Sequence, residues 1–106
     1  MRALVINLDR ETARLDFQRV QAARLGLDLE RLPAVTVAAL DPPAADPRWL
    51  RWQRPLRDVE KATLLSHMAA WRRVLEAGAP MLVLEDDAWL MPEAGAFLTK
   101  AARLDG

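Results

Sequence analysis

The stretch Pro80–Leu90, PMLVLEDDAWL, runs four apolar residues, Met81 to Leu84, straight into three acids, Glu85, Asp86 and Asp87. The apolar run reads as a short buried strand, and the acids stand at its carboxyl end. Working back from it, a helix is predicted from about Val59 to Glu76, with Asp58 as its cap, Gly78 at its end and Pro80 beyond. Leu64, Met68, Trp71 and Leu75 make one apolar stripe along that helix. Working forward, Pro92 suits the first position of a last helix, with a face of Ala94, Phe97, Leu98, Ala101 and Leu104.

The N-terminal half repeats the alternation. Ala3–Asn7 (ALVIN) reads as a buried strand. A helix is expected from Asp9 to Leu25, with Asp9 as cap, Glu11 in its first turn, Gly26 ending it and a modest stripe of Ala13, Phe17, Val20 and Ala23. Arg31–Val37 (RLPAVTV) is a second strand, and Pro33 assigns it to an edge or places the proline at the start of a strand. Residues 41–57 form a loop rich in Pro, Trp and Arg, and a loop of that length in a compact domain is functional or disordered. The order β-α-β-loop-α-β-α predicts an α/β fold with a short, mostly parallel sheet flanked by helices.

Composition bounds the function. The chain has 106 residues, which is one domain. Its hydrophobic share of 52% is too high for disorder. Fifteen basic residues balance 15 acids, so net charge argues for neither a nucleic-acid nor a membrane partner. The absence of cysteine removes thiolate chemistry and fits a reducing cytoplasm. No apolar run reaches the ~20 residues of a membrane helix.

In open α/β sheets, ligands bind beyond the carboxyl ends of the strands. Asn7, Leu8 and Asp9 stand at one such end, and Glu85, Asp86 and Asp87 at another. While the chain stays extended, Glu85 and Asp87 point to one side and Asp86 to the other. Two carboxylates on one side repel each other, and a hard cation such as Mg²⁺ or Mn²⁺ relieves that repulsion. The competing explanation is one capping acid and two solvated ones. With Pro92 opening the last helix, however, Met91 is the cap position and Asp87 lies too far back.

Four blocks, in order, carry a resemblance: VINLDRETARLDFQRVQAARLGL, RLPAVT, VEKATLLSHMAAWRRVLEAG and LVLEDD. Together they resemble glycosyltransferase family 25, which includes bacterial lipopolysaccharide and lipooligosaccharide galactosyltransferases and animal collagen galactosyltransferases. The resemblance implies a Rossmann-like nucleotide-sugar domain of the GT-A type. It also implies a UDP-sugar donor, often UDP-galactose, a glycan or lipooligosaccharide acceptor, and a cytoplasmic enzyme at or near the inner membrane. By the same resemblance Asn7, Leu8, Arg14, Ser66, His67 and Asp86 attend the donor, while Glu85 and Asp87 frame a divalent metal, Mn²⁺ or Mg²⁺, and the UDP diphosphate. Glu60 matches the family's glutamate ahead of the Ser-His pair, and Trp71 its tryptophan one turn on.

Each of these has an ordinary explanation beside it. His67 is equally a satisfied helix histidine, Trp71 a core residue first, Arg14 and Ser66 surface or helix polar positions, and Asn7 a turn residue closing its strand. Two departures stand out. Glu60-Lys61-Ala62 replaces a Glu-Ile-Gly-like run, and family members continue well beyond Gly106. The chain is therefore expected to be the N-terminal portion of such a domain, truncated at the C-terminus. No catalytic base is assigned, and donor binding with at most slow hydrolysis of UDP-galactose is expected.

A few-stranded sheet with uncovered edges also predicts a homo-oligomer. The rival class is a catalytically inactive truncated relative acting as a binding or assembly module. A third reading, a cation site for phosphoryl chemistry, lacks a Gly-rich phosphate loop. The stretch RWLRWQRPLR (Arg48–Arg57) reads as a solvated loop, with contact to an anionic acceptor or UDP as the second reading and nucleic acid a distant third.

Overall fold

The apolar run near the N-terminus is the centre of the sheet. The computed structural model describes the backbone of residues 1–104 and side chains through residue 101. Strand β1 (Arg2–Asn7) pairs in parallel with β2 (Asp28–Pro33) on one side and β3 (Met81–Glu85) on the other, in the order β2-β1-β3. A strand buried on both faces must be apolar at successive positions, and Ala3, Leu4, Val5 and Ile6 all are.

The two faces take different helices. Ala3 and Val5 face α1 (Thr12–Leu25), packing with Ala22, Leu27, Leu15 and Leu84. Leu98 of α3 (Ala94–Leu104) joins that side. Leu4 and Ile6 face α2 (Asp58–Ala77), where Ala70 and Val74 meet them together with Met81 and Val83. Arg73 of α2 also grips β2. Its Nε and Nη2 donate to the Glu30 carboxylate at 2.6 and 2.8 Å, and that bond holds the Glu30 carboxyl below its usual range. No helix among the described residues is long and apolar enough to cross a membrane.

The element order and the parallel pairing agree with the sequence reading, and β2 is indeed an edge strand. Glycine ends both long helices, since Gly26 (φ 67°) and Gly78 (φ 63°) adopt the left-handed conformation that a side chain resists. The boundaries differ elsewhere. Strand β2 covers 28–33 rather than 31–37, because Pro33 closes it and Val37–Ala39 turns away as a 3₁₀ segment. Helix α1 starts at Thr12, not Asp9. Asp9 instead accepts from Arg31 at 2.6 Å, and Glu11 occupies the cap position without a side-chain capping bond. Helix α2 is capped at Arg57 rather than Asp58, with Glu60 Oε1 accepting the Arg57 backbone N–H at 3.0 Å. Helix α3 begins two residues after Pro92.

The largest correction concerns which faces are buried. On α1 the inward residues are Leu15, Gln18, Gln21 and Ala22, while Phe17 and Val20 of the expected stripe are exposed. On α2 they are Lys61, Ala62, Ser66 and Ala70. Leu64 and Met68 are half-buried, whereas Trp71 (55% exposed) and Leu75 (80%) face solvent, so Trp71 is not a core residue. Small residues let the helix backbones lie close to the sheet, and three strands are too narrow to cover a wide apolar stripe. On α3, Ala94, Leu98 and Ala101 are half-buried and Phe97 is exposed. Leu104, expected on that face, lies outside the described side chains.

The 41–57 loop is organised around one tryptophan. Trp49, in a 3₁₀ turn at Pro47–Arg51, is buried, and its indole N–H donates to the Pro42 and Pro43 carbonyls at 3.0 and 3.1 Å. Lys61 Nζ lies 5.8 Å from the Trp49 ring centre and donates to the Ala44 carbonyl at 2.8 Å, so the lysine of Glu60-Lys61-Ala62 anchors this loop. The four arginines of the loop are exposed. Three are held by acids that flank the stretch, Arg48 by Asp46 and Arg54 and Arg57 by Glu60.

Arg54 binds Glu60 through both oxygens at 3.1 and 2.7 Å. That bond, with the Arg57 backbone N–H next, takes the Glu60 carboxyl from an ordinary 4.5 to about 2. Asp46 is likewise lowered to about 2, chiefly by the Arg48 side chain. A carboxyl depressed in the folded state contributes stability above its ordinary value and loses it as pH falls through the folded value. Trp49 and Trp52 emission is therefore expected to change between pH 4.5 and about 2 in the wild type. Glu60→Gln should flatten part of that change, Asp46 retaining the rest; an unaltered acid titration would contradict this role for the Glu60 pair.

Candidate functional site

Strand order reverses at β1, because the chain runs from β1 to β2 on one side and then crosses back to β3 on the other. A crevice beyond the carboxyl ends of adjacent strands at such a point is where α/β sheets hold ligands. Here it is a cleft of about 610 Å³, within the ordinary range for small-molecule sites. Leu8, Arg10 and Arg14 wall it from the β1–α1 side, residues 34–38 from the exit of β2, Val59, Ala62, Thr63, Ser66 and His67 from α2, and Glu85, Asp86 and Asp87 from the end of β3. Of the residues expected at the donor and metal, Leu8, Arg14, Ser66, His67, Glu85, Asp86 and Asp87 line this cleft, and Asn7 lies beneath it at 2% exposure.

Asn7 is the hub of the floor. As the last residue of β1 it points to the α1 face, and every polar atom of its side chain is used. Nδ2 donates to the Glu11 carbonyl at 3.0 Å and to Asp86 Oδ2 at 2.8 Å, while Oδ1 accepts from Arg31 Nε at 2.9 Å. Arg31 also donates to the Asn7 carbonyl at 3.0 Å. Asp86 Oδ1 meets the Arg14 guanidinium at 3.5 Å. The three acids are thus divided between the two faces of the sheet. Asp86 turns to α1, whereas Glu85 turns to α2, where Oε1 lies 3.2 Å from His67 Nε2. Strand β3 ends at Glu85, and the turn that begins there carries Asp86 to the opposite face. Asp87 is exposed on the rim and makes no hydrogen bond or ion pair to another side chain among the described residues.

Ser66 is buried on α2. Its hydroxyl donates to the Ala62 carbonyl at 2.8 Å and accepts the Val35 backbone N–H at 2.9 Å. Its geometry therefore fastens the 34–38 wall to α2. The His67 ring sits 6.4 Å from the Trp71 ring. Glu60 lies outside the cleft, in the ion pairs of the 41–57 loop.

The residues missed in the sequence are instructive. Arg31 is 24 positions from Asn7 and reaches it because strand register sets Val5 against Arg31, on the face that Asn7 shares. Its charge alone did not mark it, because β2 also carries Asp28 and Glu30. Arg10, Thr36 and Thr63 also join the walls; they lie within the four blocks, but the resemblance assigns them no role.

Among the described residues, no group of three or more His, Cys, Asp or Glu side chains gathers as a self-contained metal site. Mg²⁺-type sites use one or two carboxylates and complete their shell with water and substrate phosphates. Glu85 and Asp87, both exposed on the cleft, fit that kind of donor set.

No curated protein and no solved structure matches the chain. The sequence does match the family described as glycosyltransferase family 25 (LPS biosynthesis protein) over residues 1–104. That is essentially its whole length, and the same four blocks supply the residues that converge on the cleft. The chain belongs to glycosyltransferase family 25.

Proposed function

We propose that the cleft binds the nucleotide-sugar donor, of the UDP-galactose type, for glycosyl transfer to a lipopolysaccharide-type acceptor, and that the sheet is the donor-binding part of a GT-A-like domain. The supporting observation is the convergence of Leu8, Arg14, His67, Glu85, Asp86 and Asp87 on one cleft at the strand-order reversal. Family membership supplies the reaction class. Arg14 and Arg10 offer guanidinium groups to a diphosphate, which they bind well in planar, two-pronged fashion. Asp86, held by Asn7 and Arg14, is an acceptor for sugar or ribose hydroxyls. Glu85 and Asp87 would hold Mn²⁺ or Mg²⁺, which would neutralise the departing UDP. Ala34, Val35, Val37 and Val59 give the opposite wall an apolar surface for the less charged part of the ligand.

The test is thermal unfolding with UDP, Mn²⁺ and both. A ligand that binds only the folded state at a hundred-fold excess over its Kd stabilises by about 2.7 kcal/mol, which is about 10 °C or more for a domain of this size. UDP with Mn²⁺ should give that shift, and either alone a smaller one. No shift at millimolar UDP and Mn²⁺ overturns the donor reading.

A further inference from the structure

Two glutamines lie where α1 should present apolar side chains to the sheet. Gln18 is 1% exposed, and Gln21 is also buried. Gln18 Nε2 donates to the Asp86 carbonyl at 3.1 Å and the Ala88 carbonyl at 2.7 Å. Gln21 Nε2 donates to Gln18 Oε1 at 2.9 Å and to the Ala88 carbonyl at 3.3 Å, and its Oε1 accepts the Leu90 N–H at 2.7 Å. The Ala88 N–H donates to the Glu85 carbonyl at 3.1 Å, which closes a tight turn. The peptide units 86–87, 88–89 and 89–90 are all held from below by one helix, across about 70 positions of sequence.

Packing alone does not ask for this. Leucine or methionine fills such positions without burying amides, and Leu15 and Ala22 do so on the same face of α1. The amides matter because of what the turn carries. Three adjacent carboxylates repel one another, and an untethered loop would leave each free to reorient. A turn whose carbonyls are fixed holds each acid on its own side, and holding ligating groups in place beforehand is what binding sites require of their supporting residues.

We propose that Gln18 and Gln21 are positioning residues of the donor site. They hold the Glu85–Asp87 turn so that Asp86 meets Asn7 and Arg14 while Glu85 and Asp87 face the cleft. This assignment rests on the donor reading above. Gln18→Met keeps the volume and removes the hydrogen bonds. It is expected to raise the Kd for UDP in Mn²⁺ about ten-fold or more, the scale seen when supporting partners of ligating groups are removed. Amide exchange should quicken at 86–90 and stay unchanged in β1, with far-UV circular dichroism as in the wild type. Should Gln18→Met not fold, Gln21→Met carries the same comparison. An unchanged Kd in a folded variant overturns the assignment, whether exchange at 86–90 quickens or not. Wild-type protein that binds no UDP overturns the donor reading itself, an outcome distinct from a loss confined to the variants.

Discussion

Replacing Asn7 by leucine is expected to lower Tm by roughly 15 °C and to abolish UDP binding. Leucine fills the space, so the effect isolates the hydrogen bonds. It leaves the half-buried Asp86 carboxylate without its 2.8 Å donor, the Glu11 carbonyl without its 3.0 Å donor, and Arg31 Nε without its acceptor. Leaving a single buried polar group unsatisfied costs about 1–3 kcal/mol, more where charge is involved. Arg31 keeps Asp9 and the Asn7 carbonyl, and Asp86 keeps Arg14, so the total is set at about 3 kcal/mol rather than the sum. For a domain of this size each kcal/mol moves Tm by about 4–8 °C. Calorimetry checks it; a Tm within a few degrees of wild type would mean that the Asn7 bonds contribute little net stability.

Asp87→Asn separates binding from folding. Asp87 is exposed and has no side-chain partner among the described residues, and such surface changes stay within about 0.5 kcal/mol. The ligand-free Tm should therefore hold. The Mn²⁺-dependent part of the UDP shift should vanish, with a loss of affinity of about 100-fold or more, at or beyond what removal of a metal ligand's supporting partner costs. Glu85→Gln is a less clean probe because Glu85 also contacts His67. A Mn²⁺-dependent shift that survives Asp87→Asn would remove this residue from the cation site.

Local signals made much of this protein legible. Apolar runs marked β1 and β3, Gly26 and Gly78 marked the ends of α1 and α2, and alternation implied parallel pairing. The four blocks identified the family, and the position of Glu85–Asp87 at a strand's end pointed to the cleft they line. All of these depend on neighbours a few residues apart, where period, capping and backbone sterics act. The faces of the helices were not legible in the same way. The stripes of Phe17 and Val20, and of Trp71 and Leu75, are as regular as a core stripe, yet the sheet took Gln18, Gln21, Ala62, Ser66 and Ala70 instead.

What the sequence determined by itself was the set of elements, their order, and which side chains stood at strand ends. The tertiary structure decided which of those side chains met. Arg31 reached Asn7 through strand register, Asp86 and Glu85 parted to opposite faces where β3 gives way to a turn, and α1 placed two amides beneath that acidic turn about 70 residues away. The physical reason is that a buried polar group must find its partner wherever the fold brings one. Sheet register and helix rotation, set by how closely small residues let the backbones approach, fixed which partners those were.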